Sequence, residues 1–253
     1  MAMNLVLASA SPRRQELLAD LGLSFAVRPA DIDESVHAGE AGADYVRRLA
    51  REKAAAVAGP GELVIAADTT VDLNGELLGK PVDENDARAL MRKLSNSVHY
   101  VHTGVCALLI DANGSSREES TVVTTAVTFA PVPDAWIDWY IATGEPFDKA
   151  GGYGMQGSAA IFVHRIDGSP TNVIGLPLDA TASLGAQWGF ALFSFSSYRG
   201  AGATNSTALP SGSRNCNDGL PSSSTTAGTS SPRSRRCAAH ASSVGPSATA
   251  KAK

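Results

Sequence analysis

Apolar and polar positions follow several different patterns along the first 190 residues, and each pattern predicts one kind of element. A short apolar run at 4–8 reads as a buried strand, and a run at 63–73 rich in Val, Ile and Ala reads as a central one. Tyr45, Leu49, Ala54 and Val57 space as one face of a helix over 41–58, with Lys53 inside it. The runs 98–110 and 120–129 flank Asp111-Ala112-Asn113-Gly114 and predict an antiparallel hairpin, and Asn74-Gly75 is a shorter hairpin signal. Ser11 before Pro12 predicts a helix start, with the helix running past Leu17, Leu18 and Leu21 to a stop at Gly22. Asp83 opens a helix through Ala87, Leu90, Met91 and Leu94, and Pro133-Asp134 opens another that holds Trp136, Trp139 and Tyr140 and ends near Gly144. A strand at 25–29, a glycine-dense loop at 149–157, a strand at 159–166 and a last helix at 178–189 complete the series. Helices mixed with parallel-capable and hairpin-linked strands predict an α/β protein with a mixed central sheet flanked by helices.

The pattern stops near residue 190, where the composition changes. In 191–253, 42 of 63 residues are Ser, Ala, Thr, Gly or Pro, and seven basic residues face one acid, Asp218. That segment carries a net +6 and residues 1–190 carry −10. After Tyr198 its large aliphatics are Leu209, Leu220 and Val244, too few to offset the entropy of ordering the chain, so a domain of 1–190 followed by a disordered tail of 191–253 is expected. Arg233, Arg235 and Arg236 suggest a basic arm for nucleic acid, but basic runs are weak motifs, and an extension without function or a shifted reading frame is the favoured reading. No apolar run is long enough for a membrane span, since 63–73 is interrupted by Asp68, Thr69, Thr70 and Asp72. The opening MAMNLVLASASPRR places its apolar residues before its arginines, the reverse of an export signal. Cys106, Cys216 and Cys237 have no CxxC spacing, which fits a reducing cytoplasm, with Cys106 in a core strand and the other two exposed.

Three stretches carry candidate chemistry. In Ser9-Ala10-Ser11-Pro12-Arg13-Arg14, two arginines in the first turn of a helix oppose its macrodipole, and a phosphate chain held by the hydroxyls, guanidiniums and free N–H groups would compensate. Asp68 places a carboxylate inside an apolar strand, where it needs a partner, a metal ion or a cleft, and it is a candidate general base or metal ligand. Asp33 and Glu34 add hard oxygen donors suited to Mg²⁺ or Mn²⁺. The run from Asp148 to Gly157 contains a literal GxGxxG beginning at Gly152, but it precedes an apolar run instead of following a strand, which excludes the dinucleotide reading. What remains is a loop that admits close backbone approach, with Lys149 for phosphate and the Gln156 amide for a base edge. Lys53 and Lys80 complete the cations, while His37, His99, His102, His164 and His240 lack zinc spacing and are assigned no chemistry.

SASPRR, DIDE, YVRRLAREKA, AADTTV, GKP, HTGV, EPFDKAGGYGMQG and NVIGLPL, in this order from about Leu5 to Leu184, together resemble the Maf family of nucleotide pyrophosphatases. The resemblance implies a fold shared with inosine triphosphate pyrophosphatases, two lobes around a nucleotide cleft, a possible homodimer, and hydrolysis of a nucleoside triphosphate to monophosphate and pyrophosphate. It implies Asp68 as the acceptor of a proton from water. Ser9, Arg13, Arg14, Lys53, Lys80 and Lys149 would hold the triphosphate, Glu34 and Asp68 a divalent metal, and Arg13, Thr69 and Gln156 would tune base choice. The Tyr153-Gly154-Met155-Gln156-Gly157 form resembles the branch acting on dTTP and UTP. The alternatives are the 7-methyl-GTP branch, or a nucleotide-sensing regulator of septum formation in cell division without turnover. Ala66-Ala67 and Leu94-Ser95-Asn96 depart from the family pattern, which more often has glycine before Ala67 and at position 96.

Overall fold

In the computed structural model, which describes residues 4–188, the element order is β1 (Asn4–Leu7), α1 (Pro12–Ala19), β2 (Ala26–Val27), α2 (Gly42–Val57), β3 (Glu62–Leu73), β4 (Glu76–Leu78) and α3 (Glu84–Leu94). Then follow β5 (Val98–Ile110), β6 (Ser116–Phe129), α4 (Asp134–Ala142), β7 (Val163–Asp167), α5 (Pro170–Ile174) and α6 (Leu178–Ser183), with single 3₁₀ turns between α4 and β7. The tail 191–253, with Cys216, Cys237 and the arginine cluster, lies outside the described residues. One mixed seven-stranded sheet has the order β2-β1-β3-β5-β6-β7, with β4 also paired to β3. β2, β1 and β3 run parallel, and β3, β5, β6 and β7 are antiparallel neighbours.

Two-residue alternation along β3 assigns its side chains to opposite layers. Leu63, Ile65 and Ala67 pack with Leu17 and Leu18 of α1 and with Leu176 and Leu184. Val64 and Ala66 pack on the other face with Ala50 and Ala54 of α2. Beyond the middle of β3, Val71 joins Leu90, Met91 and Leu94 of α3, Ile137, Tyr140 and Ile141 of α4, and Phe129 and Phe162 in a third cluster. α3 is well specified locally: the Asp83 carboxylate accepts from Asp86 N–H at 2.8 Å, acids occupy its first turn and Arg92 and Lys93 its last.

The turns follow their residues. Asn74 and Gly75 both take positive φ, 56° and 87°, as the tight hairpin between β3 and β4 requires. Asn96, at the position where glycine is commoner, also adopts φ 54°, a conformation that asparagine tolerates better than most residues.

Several boundaries differ from the sequence expectation, among them the strand expected at 120–129, which starts at Ser116 as β6. α1 ends at Ala19 rather than beyond Leu21, and the strand expected at 25–29 is reduced to Ala26–Val27. The strand expected at 159–166 starts only at Val163, because Ser158–Phe162 winds into a 3₁₀ turn that drives Ala159 and Phe162 into the core. The last helix breaks after Ser183, where Gly185 takes φ 76° before a short turn at Ala186–Trp188.

His99 of β5 is fully buried beside Phe129 and Tyr153, and burial pushes its imidazole down to about 4 from an ordinary 6.5. The folded protein therefore resists protonation that the unfolded chain accepts. Stability contributed by the neutral ring is complete above pH 6.5 and is lost as pH falls toward 4, by up to about 1.4 kcal/mol per pH unit. Urea titrations at pH 7, 6, 5 and 4.5 should show a midpoint that falls through this window, and a His99→Phe variant should lose that part of the slope.

Candidate active site

The site arises from a gap in the sheet. On one edge of β3, β1 pairs only as far as Ile65 and β4 begins only at Val71, so Ala66 to Thr70 have no strand beside them there. That gap opens onto a cleft of about 600 Å³, a size suited to a small-molecule ligand, walled by Ser9 to Arg14, Lys53, Asp68 to Val71, Gly79-Lys80 and the 148–156 loop.

Asp68 continues the face that Val64 and Ala66 present to α2, and there it meets Lys53. The two residues are 8% exposed each, with Lys53 Nζ 2.7 Å from Asp68 Oδ1. The same ammonium lies 2.7 Å from Glu34 Oε1, so one buried cation joins two carboxylates from separate segments. Tyr45, about two helical turns before Lys53, donates its hydroxyl to the Glu34 carbonyl at 2.9 Å and anchors the acidic loop. Burial, then the nearby Asp68 and Glu34 charges, push its phenol up to about 12, so it remains a donor. Asp33 points elsewhere and caps Ser35 N–H at 2.9 Å.

Thr69 emerges on the opposite face, toward α1, and meets Arg14. The Arg14 guanidinium donates to Thr69 Oγ1 at 2.9 Å, Ser9 Oγ at 3.1 Å and Gly175 O at 2.8 Å, tying together segments up to 161 residues apart. Three of its five N–H groups are thereby committed to protein, which leaves two for a ligand. Burial lowers its pKa, with Asp68 acting in the opposite direction. Arg14→Lys keeps the charge but loses the three-way fork, and we expect it to destabilise the protein by about 1–3 kcal/mol. An unfolding midpoint equal to that of the parent would show that these bonds contribute nothing net.

Ser11 occupies the N-cap of α1, yet its side chain makes no cap bond; its N–H donates to Ser9 Oγ at 3.2 Å instead. Pro12 has no N–H, so the main-chain donors of Arg13 and Arg14 have no protein acceptor among the described residues and remain for an anion. Arg13 reaches across the cleft to Asp148 Oδ2 at 2.9 Å, and Lys149 holds the other oxygen of the same carboxylate. Those hydrogen bonds keep Asp148 below the usual carboxylate range against the contrary effect of burial. Lys80 and Gln156 line the cleft, are exposed, and form no side-chain hydrogen bond to the described residues.

All of the sequence candidates except Asp33 thus border one cleft, but sequence reasoning assigned no role to Asp148, Tyr45 or Gly104. Gly104 of β5 is paired opposite Asp68, and a Cβ there would lie 2.3 Å from the Val46 carbonyl oxygen of α2. Its only local signal is its place in the HTGV run.

Glu34 and Asp68 are the two carboxylates that Lys53 brings together in the cleft, and the ones there that could hold a divalent ion. Two hard oxygens suit Mg²⁺ or Mn²⁺, which commonly keeps water and takes substrate phosphate oxygens for its remaining positions. Among the described residues no group of three or more His, Cys, Asp or Glu forms an all-protein metal cage. Cys106 is buried in β5 with its thiol pushed up to about 12 by burial, which makes it core and not a nucleophile.

A buried carboxylate and buried cation at a gap in an α/β sheet, ringed by arginines and lysines around a cleft of about 600 Å³, fit a phosphate-handling hydrolase. Residues 4–188 match the Maf-like protein family, and the chain belongs to it. A dTTP/UTP pyrophosphatase of Anaeromyxobacter sp. (strain Fw109-5) is 57% identical over 184 residues, covering 73% of this chain and 89% of its own. One from Anaeromyxobacter dehalogenans (strain 2CP-C) is 57% identical over 192 residues, 76% of this chain and 97% of its own. One from Myxococcus xanthus (strain DK1622) is 53% identical over 182 residues, 71% and 90%. Among solved structures, a HAM1 protein from Coxiella burnetii aligns with 52% of this chain and 75% of its own at 18% identity and a TM-score of 0.35. No helix among the described residues is long and apolar enough to cross a membrane.

Proposed function

We propose that this chain hydrolyses dTTP and UTP to the nucleoside monophosphate and pyrophosphate, in the cytoplasm, with the catalytic domain in residues 1–190 and the tail 191–253 outside it. The observation that carries the reading is the buried Lys53 bridging Asp68 and Glu34 at the head of a cation-lined cleft, in a chain 57% identical to a dTTP/UTP pyrophosphatase.

Arg13, Lys80 and Lys149 hold the triphosphate, with Ser9 and the first N–H groups of α1 beside them. Arg14 supports this wall and offers its two remaining donors. Asp148 occupies Arg13 and Lys149 in the free protein, so phosphate replaces one anion with another instead of meeting bare charges. Asp68 Oδ1 is tied to Lys53, and Oδ2 accepts the proton of the attacking water. Water adds to the α-phosphorus, the bond to the bridging oxygen breaks, and pyrophosphate leaves. Glu34 and Asp68 hold a divalent ion that, when bound, supplies charge neutralisation at the phosphates. Thr69, Arg13 and Gln156 face the base end of the ligand and select pyrimidines.

The test is pyrophosphate release with Mg²⁺ or Mn²⁺ from dTTP, UTP, CTP, 7-methyl-GTP and the common purine triphosphates. Turnover of dTTP and UTP is expected. Turnover confined to 7-methyl-GTP would overturn the substrate, and no turnover by folded protein on any nucleotide would leave a binding role instead.

A further inference from the structure

His99 is a buried titratable group that the site just described does not use. Strand alternation calls for an apolar side chain at its position: Val98 and Tyr100 on either side are exposed, and the next inward residue is Val101. His99 Nε2 instead lies 2.7 Å from the Tyr153 hydroxyl, while Nδ1 is buried with no partner. Phe129 packs edge-on against both rings. A buried imidazole with an unpaired nitrogen is a poorer core residue than valine or leucine, so packing does not account for it.

Tyr153 connects this position to the cleft. It lines the cleft wall and stands three residues before Gln156, which also lines the cleft and is the amide proposed above to read the base. Other tethers of the loop come from its main chain and its ends: Gly151 N–H donates to Gly79 O at 2.9 Å, Lys149 Nζ to Glu145 O at 2.7 Å, and Ser158 N–H to Glu145 Oε2 at 2.8 Å, and the Gly154 main chain faces the Tyr140 phenol. Between 152 and 157, Tyr153 is the one side chain hydrogen-bonded to the rest of the described fold.

We propose that His99 is a positioning residue for base recognition, fixing through the Tyr153 hydroxyl the height and angle at which the loop presents Gln156 to the nucleobase. This rests on the pyrimidine-triphosphate reading of the cleft. It predicts loss of substrate discrimination, not loss of chemistry, because His99 touches neither the phosphate wall nor Asp68.

The test compares the full chain with H99F, Y153F and H99Q by steady-state kinetics on UTP and CTP and by hydrogen–deuterium exchange of the 149–157 loop. In H99F and Y153F we expect KM for UTP to rise about tenfold, the UTP over CTP preference to fall by a similar factor, and kcat to stay within about threefold. Loop amides should exchange about tenfold faster, while those of β3 keep their parent rates. H99Q, whose amide still meets the Tyr153 hydroxyl, should recover most of the preference. A lowered melting temperature with unchanged discrimination and unchanged loop exchange would overturn the proposal and leave His99 a packing residue. If the parent protein turns over no nucleotide, the functional reading falls separately; loop exchange then decides whether His99 holds this loop, and parent-like rates in both variants overturn it.

Discussion

Asp68→Asn is expected to lower kcat for dTTP and UTP by about 10²–10⁴-fold while leaving the protein folded. The asparagine keeps an oxygen for Lys53, and Lys53 keeps Glu34, so the variant does not strand a buried ammonium. On the mechanism proposed above, it removes the acceptor for the water's proton and one anionic oxygen of the divalent-ion pair. Removing a negative charge beside the phosphates should not weaken binding of the nucleotide itself, so UTP affinity measured by calorimetry without divalent ion should match or exceed that of the parent. A variant that keeps more than about a tenth of the parental kcat would move the base to another residue. A variant that loses binding together with turnover would make Asp68 part of the ligand frame and not the base.

Gly104→Ala is expected to have the largest effect on stability, more than about 3 kcal/mol. The added Cβ would lie 2.3 Å from the Val46 carbonyl oxygen and 2.8 Å from Arg47 N, both main-chain atoms of α2 that no side-chain rotation can move aside. α2 would have to lift from the sheet, and Lys53 rides on α2 while Gly104 faces Asp68 across the β3–β5 ladder. The substitution should therefore lower the urea midpoint sharply and, in whatever fraction remains folded, lengthen the Lys53–Asp68 contact and reduce kcat. Unchanged stability would mean that α2 has more freedom above β5 than the close approach indicates.

Much of the fold could be read from local signals. The hairpin 98–110 matched β5, Asp83 capped α3, the 41–58 periodicity became Gly42–Val57, and Asn74-Gly75 formed its turn. The misread segments are those whose local pattern competed with packing. Ile161-Phe162-Val163 looks like a strand but Phe162 is needed in the core below α4, so the chain winds through a 3₁₀ turn before β7 begins. Asp148 gave no signal because its partner Arg13 is 135 residues away. Lys53 in a helix reads by itself as a solvated side chain, yet it is among the most buried charges described.

The amino-acid sequence by itself determined the kinds of element, their approximate limits, and the chemical inventory of cations, acids and a glycine-dense loop, because helix caps, turn conformations and side-chain periodicity are local properties of the chain. Only the tertiary structure decided which of these groups meet. β1 ends at Leu7, the partner of Ile65, and β4 ends at Leu78, the partner of Val71, which leaves Ala66 to Thr70 open to the cleft. The two-residue alternation of β3 then sends Asp68 to the face covered by α2, where Lys53 waits, and Thr69 to the face covered by α1, where Arg14 waits. Neither pairing is a property of its own segment: each exists because long-range strand pairing fixes which helix lies over which face.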